Sequence, residues 1–208
     1  MLRVRVVSVV LASLSLSLFA PSTARAEEPS APKKDSPPDD FKHVSVTANP
    51  LSLLLRRVGL NIEYLPVPHH GVMINPYFAS GTASDDSSGT KVETKAKGFG
   101  GELAYRFYSG SEGANGFFIG PGIILARSQL HSTRTAANGA SSSADVSVFS
   151  YGGFIDVGGQ LVTRGGFTLG AGTGIGYVFS DVSNVATSRS VKVSGVLPRV
   201  LFTLGYSF

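Results

Sequence analysis

The sequence predicts an all-β protein: a closed, antiparallel, transmembrane β-barrel of about eight strands. Three observations lead to this prediction. Apolar residues alternate with small or polar ones over segments of about ten residues, long and short connections alternate between these segments, and no window after residue 40 holds 18 consecutive apolar residues. Alternation indicates strands, and the absence of long apolar runs excludes membrane-spanning helices.

The clearest alternation lies at residues 167–179. One face carries Phe167, Leu169, Ile175 and Tyr177, and the other carries Gly170, Gly172, Gly174 and Gly176. A soluble sheet would carry long polar groups on its exposed face. Glycine in that place predicts instead that the second face lines a narrow lumen, while the aromatic and aliphatic face contacts lipid.

Eight segments of this kind can be found, and single-chain bacterial barrels have an even number of strands. The predicted strands are 43–48, 58–65, 70–79, 99–107, 116–127, 149–158, 167–179 and 196–208. Three connections are long and rich in Ser, Thr, Gly and Asp: 80–96, 128–146 and 180–192. Three are short turns: 66–69, 109–115 and 162–166. This predicts long loops at the outer end of the barrel and a C-terminus at the periplasmic end.

Two features leave the strand boundaries open. The apolar stretch Asn49–Arg57 either extends the first strand or forms a short amphipathic turn. Pro76, Pro121 and Pro198 lie inside predicted strands, although proline lacks the N–H that a β-ladder uses. We therefore expect bulges or shifted strand ends at these three residues.

Residues 1–26 have the features of a cleaved secretory signal peptide. A start that contains two arginines is followed by the apolar stretch 6–20, and Ala24 and Ala26 form a small-x-small cleavage site. The apolar stretch is shorter than the roughly 20 residues that a spanning helix needs. The sequence thus predicts export of the protein.

The segment 27–41 is predicted to be a disordered linker that precedes a barrel at 42–208. It is rich in proline and charged residues, so it cannot bury enough apolar surface to fold.

The remaining charge excludes a nucleic-acid partner. Without Arg3, Arg5 and Arg25 of the signal peptide, the 18 Lys and Arg residues fall to 15, against 14 Asp and Glu, and they form no cluster.

The absence of cysteine excludes disulfides, thiolate metal ligands and a lipid-modified N-terminal cysteine. The spacing of the other potential ligands predicts no metal site. We also expect no cofactor.

The last strand alternates apolar residues and ends the chain on an aromatic one. These residues are Phe202, Leu204, Tyr206 and Phe208. The pattern resembles the C-terminal targeting strand of Gram-negative outer-membrane barrels, which implies recognition by the barrel assembly machinery. Residues 43–208 are similar to the small eight-stranded outer-membrane barrels, a superfamily that includes the membrane domain of OmpA, OmpX, OmpW and lipid A deacylase. The resemblance implies an outer-membrane location and contact with outer-membrane lipids, including lipopolysaccharide.

Five charged residues are expected to face the lumen: Glu63, Glu102, Arg106, Asp156 and Arg199. Buried charges of both signs are costly unless they are paired. We therefore expect an ion-pair network that fills the lumen, with a proton or ion path as the alternative. Eight strands enclose an interior that side chains just fill, which argues against a wide pore.

No catalytic residues are predicted. His131 and Ser132 lie near the outer rim, but adjacent residues of a strand point to opposite faces and cannot easily meet. The function that the sequence favours is a structural or loop-display role, without catalysis. The alternatives are a lipid-modifying enzyme of the outer leaflet, similar to lipid A deacylase, and a narrow porin-like channel for small solutes. The sequence predicts neither a ligand nor an oligomeric state.

Overall fold

Eight antiparallel strands form one closed ring in the computed structural model, which describes residues 41–87, 90–110, 113–184 and 189–208. The strands are β1 (Val44–Ala48), β2 (Arg57–Val67), β3 (His70–Ser87), β4 (Thr90–Tyr108), β5 (Gly116–Thr135), β6 (Ser141–Val162), β7 (Phe167–Asn184) and β8 (Arg189–Ser207). Each strand pairs with the next, and β1 pairs with β8. The predicted fold class is confirmed. The predicted signal peptide and most of the predicted linker lie outside the described residues.

The predicted phase of the alternation agrees with the structure. On β7, Phe167, Ile175 and Tyr177 are exposed on the outer face, whereas Thr168 and Gly176 are buried. The same alternation runs along β2 to β6, so that apolar side chains cover the outside and a mixture of polar, glycine and apolar residues fills the inside.

The three long outer loops were predicted wrongly, because most of their residues continue the hairpins. β3 and β4 stay paired up to Ser87 and Thr90, and β5 and β6 up to Thr135 and Ser141. β7 and β8 pair up to Asn184 and Arg189. Serine and threonine can occupy both faces of a ladder that stands in water, and such a ladder lacks the apolar alternation that identifies a strand in the sequence.

The short turns lie where they were predicted, between β2 and β3, between β4 and β5, and between β6 and β7. They share one end of the barrel with the N-terminus of β1 and with the C-terminus. The β2–β3 ladder shifts its register between Tyr64 and Val67, a stretch that contains Pro66.

The expectation of bulges at Pro76, Pro121 and Pro198 was wrong. The register runs through the pairs Pro76–Gly101, Pro121–Ile155 and Pro198–Ile175 without a shift. All three prolines lie on the outer face. Each proline removes a single N–H, and the ladder bonds of the neighbouring residues hold the register.

The segment 49–57 forms a short 3-10 helix, Pro50–Leu55, before β2 begins. It contacts both β2 and β8, at the point where β1 ends. β1 pairs with β8 only over Ser45–Ala48, so the helix takes the place of the missing part of β1 in the barrel wall. Leu54 and Leu55 are 81% and 78% exposed, which continues the apolar outer surface across this seam. In the described residues no helix is long and apolar enough to cross a membrane.

Candidate functional site

The middle of the lumen is occupied by charged side chains that lie in contact with one another. Arg199 of β8 donates from Nε to Oδ1 of Asp156 on β6 at 2.8 Å, and from Nη2 to Oε2 of Glu102 on β4 at 2.9 Å. The side chains of Glu102 and Asp156 are each 2% exposed. One guanidinium therefore joins two buried carboxylates on two other strands, a geometry that planar arginine suits.

A second group lies nearer the turn end of the lumen. Arg106 donates to Oε2 of Glu63 at 3.2 Å, and the Tyr108 hydroxyl donates to the same carboxylate at 2.8 Å. All three side chains are buried. The Glu63 carboxylate is thus held by one cation and one neutral donor, which satisfies its acceptors away from water.

All five residues that the sequence analysis placed in the lumen come together there, in two adjoining groups. Two further members were missed. Arg57 donates to Oε1 of Glu102 at 2.6 Å, and Tyr108 completes the Glu63 group. Arg57 fell in the segment that had no assigned conformation, so its face was unknown. Tyr108 shares its face with Arg106, two residues before it on the same strand, and that spacing would have placed it inside.

Each arginine of the lumen also lies against an aromatic ring. The distances from the guanidinium carbon to the ring centroid are 3.5 Å for Arg57 and Tyr77, 4.7 Å for Arg106 and Phe118, and 3.9 Å for Arg199 and Phe154. Arginine stacks well on aromatic faces because its guanidinium is planar and weakly hydrated. The cations are therefore fixed by carboxylates at their edges and by rings at their faces.

Apolar side chains fill the space that the ion pairs leave. One cluster consists of Met73, Ala104, Ile124 and Phe154, and the other of Leu65, Tyr108, Ala114 and Phe118. As whole residues, Glu63, Arg106 and Asp156 are only 2%, 4% and 1% exposed. A passage wide enough for water would expose these charges, so this stretch of the lumen is closed.

Two glycines leave the room that the carboxylates occupy. A Cβ at Gly174 would meet Oδ1 of Asp156, and one at Gly71 would meet Oε1 of Glu63. Asp156 and Gly174 are direct partners in the ladder between β6 and β7. Of the glycine wall predicted from the sequence, Gly174 thus gives its space to a carboxylate, whereas a Cβ at Gly170 would meet Oγ1 of Thr203.

The predicted assembly residues lie on the outer face of β8. Phe208 donates its N–H to Val44 O at 2.8 Å and accepts from Val44 N at 3.3 Å. Its ring centroid is 5.0 Å from that of Tyr206. Phe202 and Leu204 continue the same face. The C-terminal residue therefore takes part in the bonding that joins the last strand to the first.

The histidines have separate partners. Nδ1 of His43 lies 3.0 Å from Leu65 O, Nδ1 of His69 lies 3.0 Å from Tyr108 O, and His70 contacts the Tyr105 hydroxyl. His131 pairs with Asp145 on the outside of the barrel at 2.7 Å. Among the residues that the structure describes, no three His, Asp or Glu side chains form a group suited to a metal ion.

Comparison with known proteins gives structural likenesses alone. No protein-family model and no curated protein matches the sequence significantly. The crystal structure of CarO from Acinetobacter baumannii shares 11% identity at a TM-score of 0.46, over 80% of this chain and 98% of that one. A. baumannii CarO2 shares 13% at 0.44, over 82% and 100%. A major outer membrane protein from Thermus thermophilus shares 11% at 0.39, over 79% and 97%. At these values the likenesses add nothing to the barrel that the structure itself shows.

Proposed function

We propose that this chain is an integral barrel of the bacterial outer membrane whose lumen is sealed, and which acts through its outer surface and outer hairpins. The ion-pair network of Arg57, Glu63, Glu102, Arg106, Asp156 and Arg199 carries the proposal. Because these groups fill the lumen together with the two apolar clusters, we expect the barrel not to conduct ions or solutes. A structural or display role in the envelope remains.

The outer face supports insertion into a bilayer. It carries two bands of aromatic residues, one near the turn end and one nearer the hairpin tips. The first contains Phe107, Phe117, Phe167, Tyr206 and Phe208, and the second contains Phe78, Phe99, Phe149, Tyr151 and Phe179. Aromatic girdles of this kind flank the apolar band of outer-membrane barrels.

The spacing of the two bands suits a bilayer. Phe99 and Phe107 are eight residues apart on β4, a rise of about 26 Å along a strand. For a strand tilted by about 40° that is about 20 Å along the barrel axis, comparable with an apolar band of about 25 Å. Between the bands the outer face carries Leu103, Ile123, Ile155 and Ile175.

Export through the predicted signal peptide and insertion by the barrel assembly machinery complete the proposal. The C-terminal strand that ends at Phe208 would be the assembly signal, and outer-membrane lipids, including lipopolysaccharide, would surround the belt. Cell fractionation tests the location: the protein should sediment with the outer membrane, and recovery in the soluble periplasmic fraction would contradict the proposal.

Planar-bilayer recording tests the sealed lumen. The purified, refolded wild type should add no ohmic conductance to the bilayer. Arg57→Ala combined with Arg199→Ala removes two of the guanidinium groups from the lumen and should produce conducting events. A steady conductance of the wild type that resembles that of the double variant would show that the network does not seal the barrel.

A further inference from the structure

His131 forms a hydrogen-bonded chain with two other side chains on the outer face of the barrel. Its Nδ1 lies 2.7 Å from Oδ1 of Asp145, and its Nε2 lies 3.4 Å from Oγ1 of Thr133. Asp145 is the direct cross-strand partner of His131, and Thr133 is two residues further along β5 on the same face. An acid, an imidazole and a hydroxyl therefore stand in the order found in hydrolases that use a nucleophile.

The protonation of the imidazole follows from its partners. A carboxylate only accepts hydrogen bonds, so Nδ1 carries the proton and donates it to Asp145. In the neutral imidazole, Nε2 then has a lone pair that can accept from the Thr133 hydroxyl, as a general base requires. A separation of 3.4 Å is long for such a bond, and catalytic bonds are often loose before substrate binds.

Ser132, which the sequence analysis considered as a partner of His131, lies inside the barrel instead. Its hydroxyl lies 3.2 Å from Oγ1 of Thr94. The residue that can reach the imidazole is the one at the next position of the same face, and the acid comes from the neighbouring strand. A search for adjacent residues could not find this set.

Charged residues of both signs surround the same place, since Nζ of Lys95 lies 3.1 Å from Oε1 of Glu93, the direct neighbour of Thr133 on β4. Lys95 is the direct neighbour of His131 on β4, and Lys97 lies one row below it. Both lysines line an open groove of about 390 Å³ together with His131 and Asp145. A second groove, of about 270 Å³, shares Lys97 and ends at Arg127. Because Lys95 is paired with Glu93, the cations that an anionic headgroup would find along this path are Lys97 and Arg127.

The grooves continue into the apolar belt. A third groove, of about 510 Å³, shares Phe99 and Arg127 with the second and runs down between Leu103 and Leu125. Arg127 is level with Phe99 and Phe149 of the upper aromatic band. His131 lies four residues beyond Arg127, about 13 Å further along the strand. One lipid molecule would thus contact the successive grooves with its hydrocarbon tail, its charged group and its outer headgroup.

We infer that Thr133, His131 and Asp145 form a hydrolytic site for a carboxylic ester in the headgroup of an anionic outer-leaflet lipid. The inference rests on the membrane insertion proposed above and adds an activity to it. Thr133 is the nucleophile, His131 the general base and acid, and Asp145 the group that orients the imidazole.

The reaction balances with water as the second reactant. Oγ1 of Thr133 attacks the carbonyl carbon while its proton passes to Nε2 of His131. The bond to the headgroup alcohol breaks, and Nε2 returns the proton to that alcohol oxygen. Water then attacks the acyl-threonine ester and gives a proton to Nε2, which returns it to Oγ1 as the carboxylic acid leaves. The side chains of His131 and Asp145 are 52% and 64% exposed, so water can reach them.

The test compares variants of the refolded protein on two esters. The first is p-nitrophenyl butyrate in detergent, and the second is headgroup-acylated phosphatidylglycerol in vesicles, with triacylglycerol as a neutral ester in the same vesicles. Thr133→Ala and His131→Asn should each lower the rate about 100-fold or more, and Thr133→Ser should retain activity. Thr135→Ala and Ser132→Ala are the matched controls and should match the wild type.

Several outcomes would overturn the inference: a wild-type rate on both esters no higher than that of His131→Asn, an equal loss in Thr135→Ala, or cleavage of triacylglycerol in preference to the anionic lipid. Lys97→Ala with Arg127→Ala should raise the KM for the anionic lipid several-fold. Migration on gels before and after boiling reports folding separately. A folded, membrane-inserted and inactive wild type would refute the site and leave the proposed barrel intact.

Discussion

Arg199 of β8 and Asp156 of β6 are joined across the lumen, Nε to Oδ1, at 2.8 Å, although a whole strand, β7, lies between their own strands in the barrel wall. The same guanidinium reaches Glu102 on β4. The contact is made through the interior, and it therefore couples strands that share no ladder. The interior of the barrel is thus held by charge pairing as well as by the strand ladders.

Removal of one carboxylate from this network should be strongly destabilising. Glu102→Gln leaves both Arg57 and Arg199 without that carboxylate in a buried place, and breaking a buried pair in this way costs about 3–5 kcal/mol. The urea dependence of folding in lipid vesicles measures the change in the free energy of unfolding. Glu93→Gln is the matched control on the same strand, because it breaks the exposed pair of Glu93 with Lys95 and should change stability little. Equal effects of the two variants would contradict the account of the lumen.

A methyl group at Gly174 should disturb the same network. Its Cβ would meet Oδ1 of Asp156 and the carbonyl oxygen of Ile155, which lies on a neighbouring strand and cannot swing aside. We expect Gly174→Ala to lower the free energy of unfolding by about 1–3 kcal/mol, the range for overpacking. Gly195→Ala on β8 is the control, because a Cβ there has no atom within 4 Å. A loss of stability in both variants would point to glycine flexibility, and not to space for Asp156, as the cause.

Loss of the last residue should impair assembly. Deletion of Phe208 removes the two backbone bonds to Val44 that help to close the ring, together with the terminal aromatic side chain. Deletion of Ala137, in the hairpin tip between β5 and β6, is a control of the same size. The fraction of protein whose gel migration changes on boiling measures folding. A similar folded fraction for both deletions would show that the terminal residue has no special part in assembly.

N-terminal sequencing of the mature protein tests the predicted cleavage. Ala24 and Ala26 predict a first residue of Glu27, since a small-x-small site is cut after the second small residue. Replacement of Ala24 by Leu should slow processing and leave a longer precursor. A mature protein that starts at Met1 would be incompatible with export by this signal.

Hydrophobic alternation in the sequence was sufficient to predict the strands and which of their residues face inward. Alternation follows from burial on one face, so it indicated the strands near Phe99 and Ile175 and the inward phase of Glu102 and Asp156. A one-residue shift would have placed these carboxylates and Arg106 in hydrocarbon, and a midplane arginine alone costs about 2–4 kcal/mol there.

Other features carry no such signal. Residues 141–145 are exposed on both faces of their strand, so this stretch shows no alternation in the sequence. The positions of Arg57 and of the 3-10 helix before it depend on the length of β1, because the helix occupies the part of the barrel wall that β1 does not cover. The contact of His131 with Asp145 depends on the β5–β6 register, which single-sequence patterns do not specify. These features could be found only from the paired strands.

Cysteine scanning of β7 tests the central claim most directly, because the strand contributes to both the lipid belt and the lumen. Single cysteines at 167–178, in a chain that has none of its own, would be treated with a lipid-soluble and a water-soluble thiol reagent in intact outer membranes. A sealed, membrane-inserted barrel predicts that cysteines at the positions of Leu169, Ile175 and Tyr177 react with the lipid-soluble reagent. Cysteines that replace Gly172, Gly174 and Gly176 should react with neither. Lipid-soluble labelling at the glycine positions, or water-soluble labelling along both faces, would contradict it.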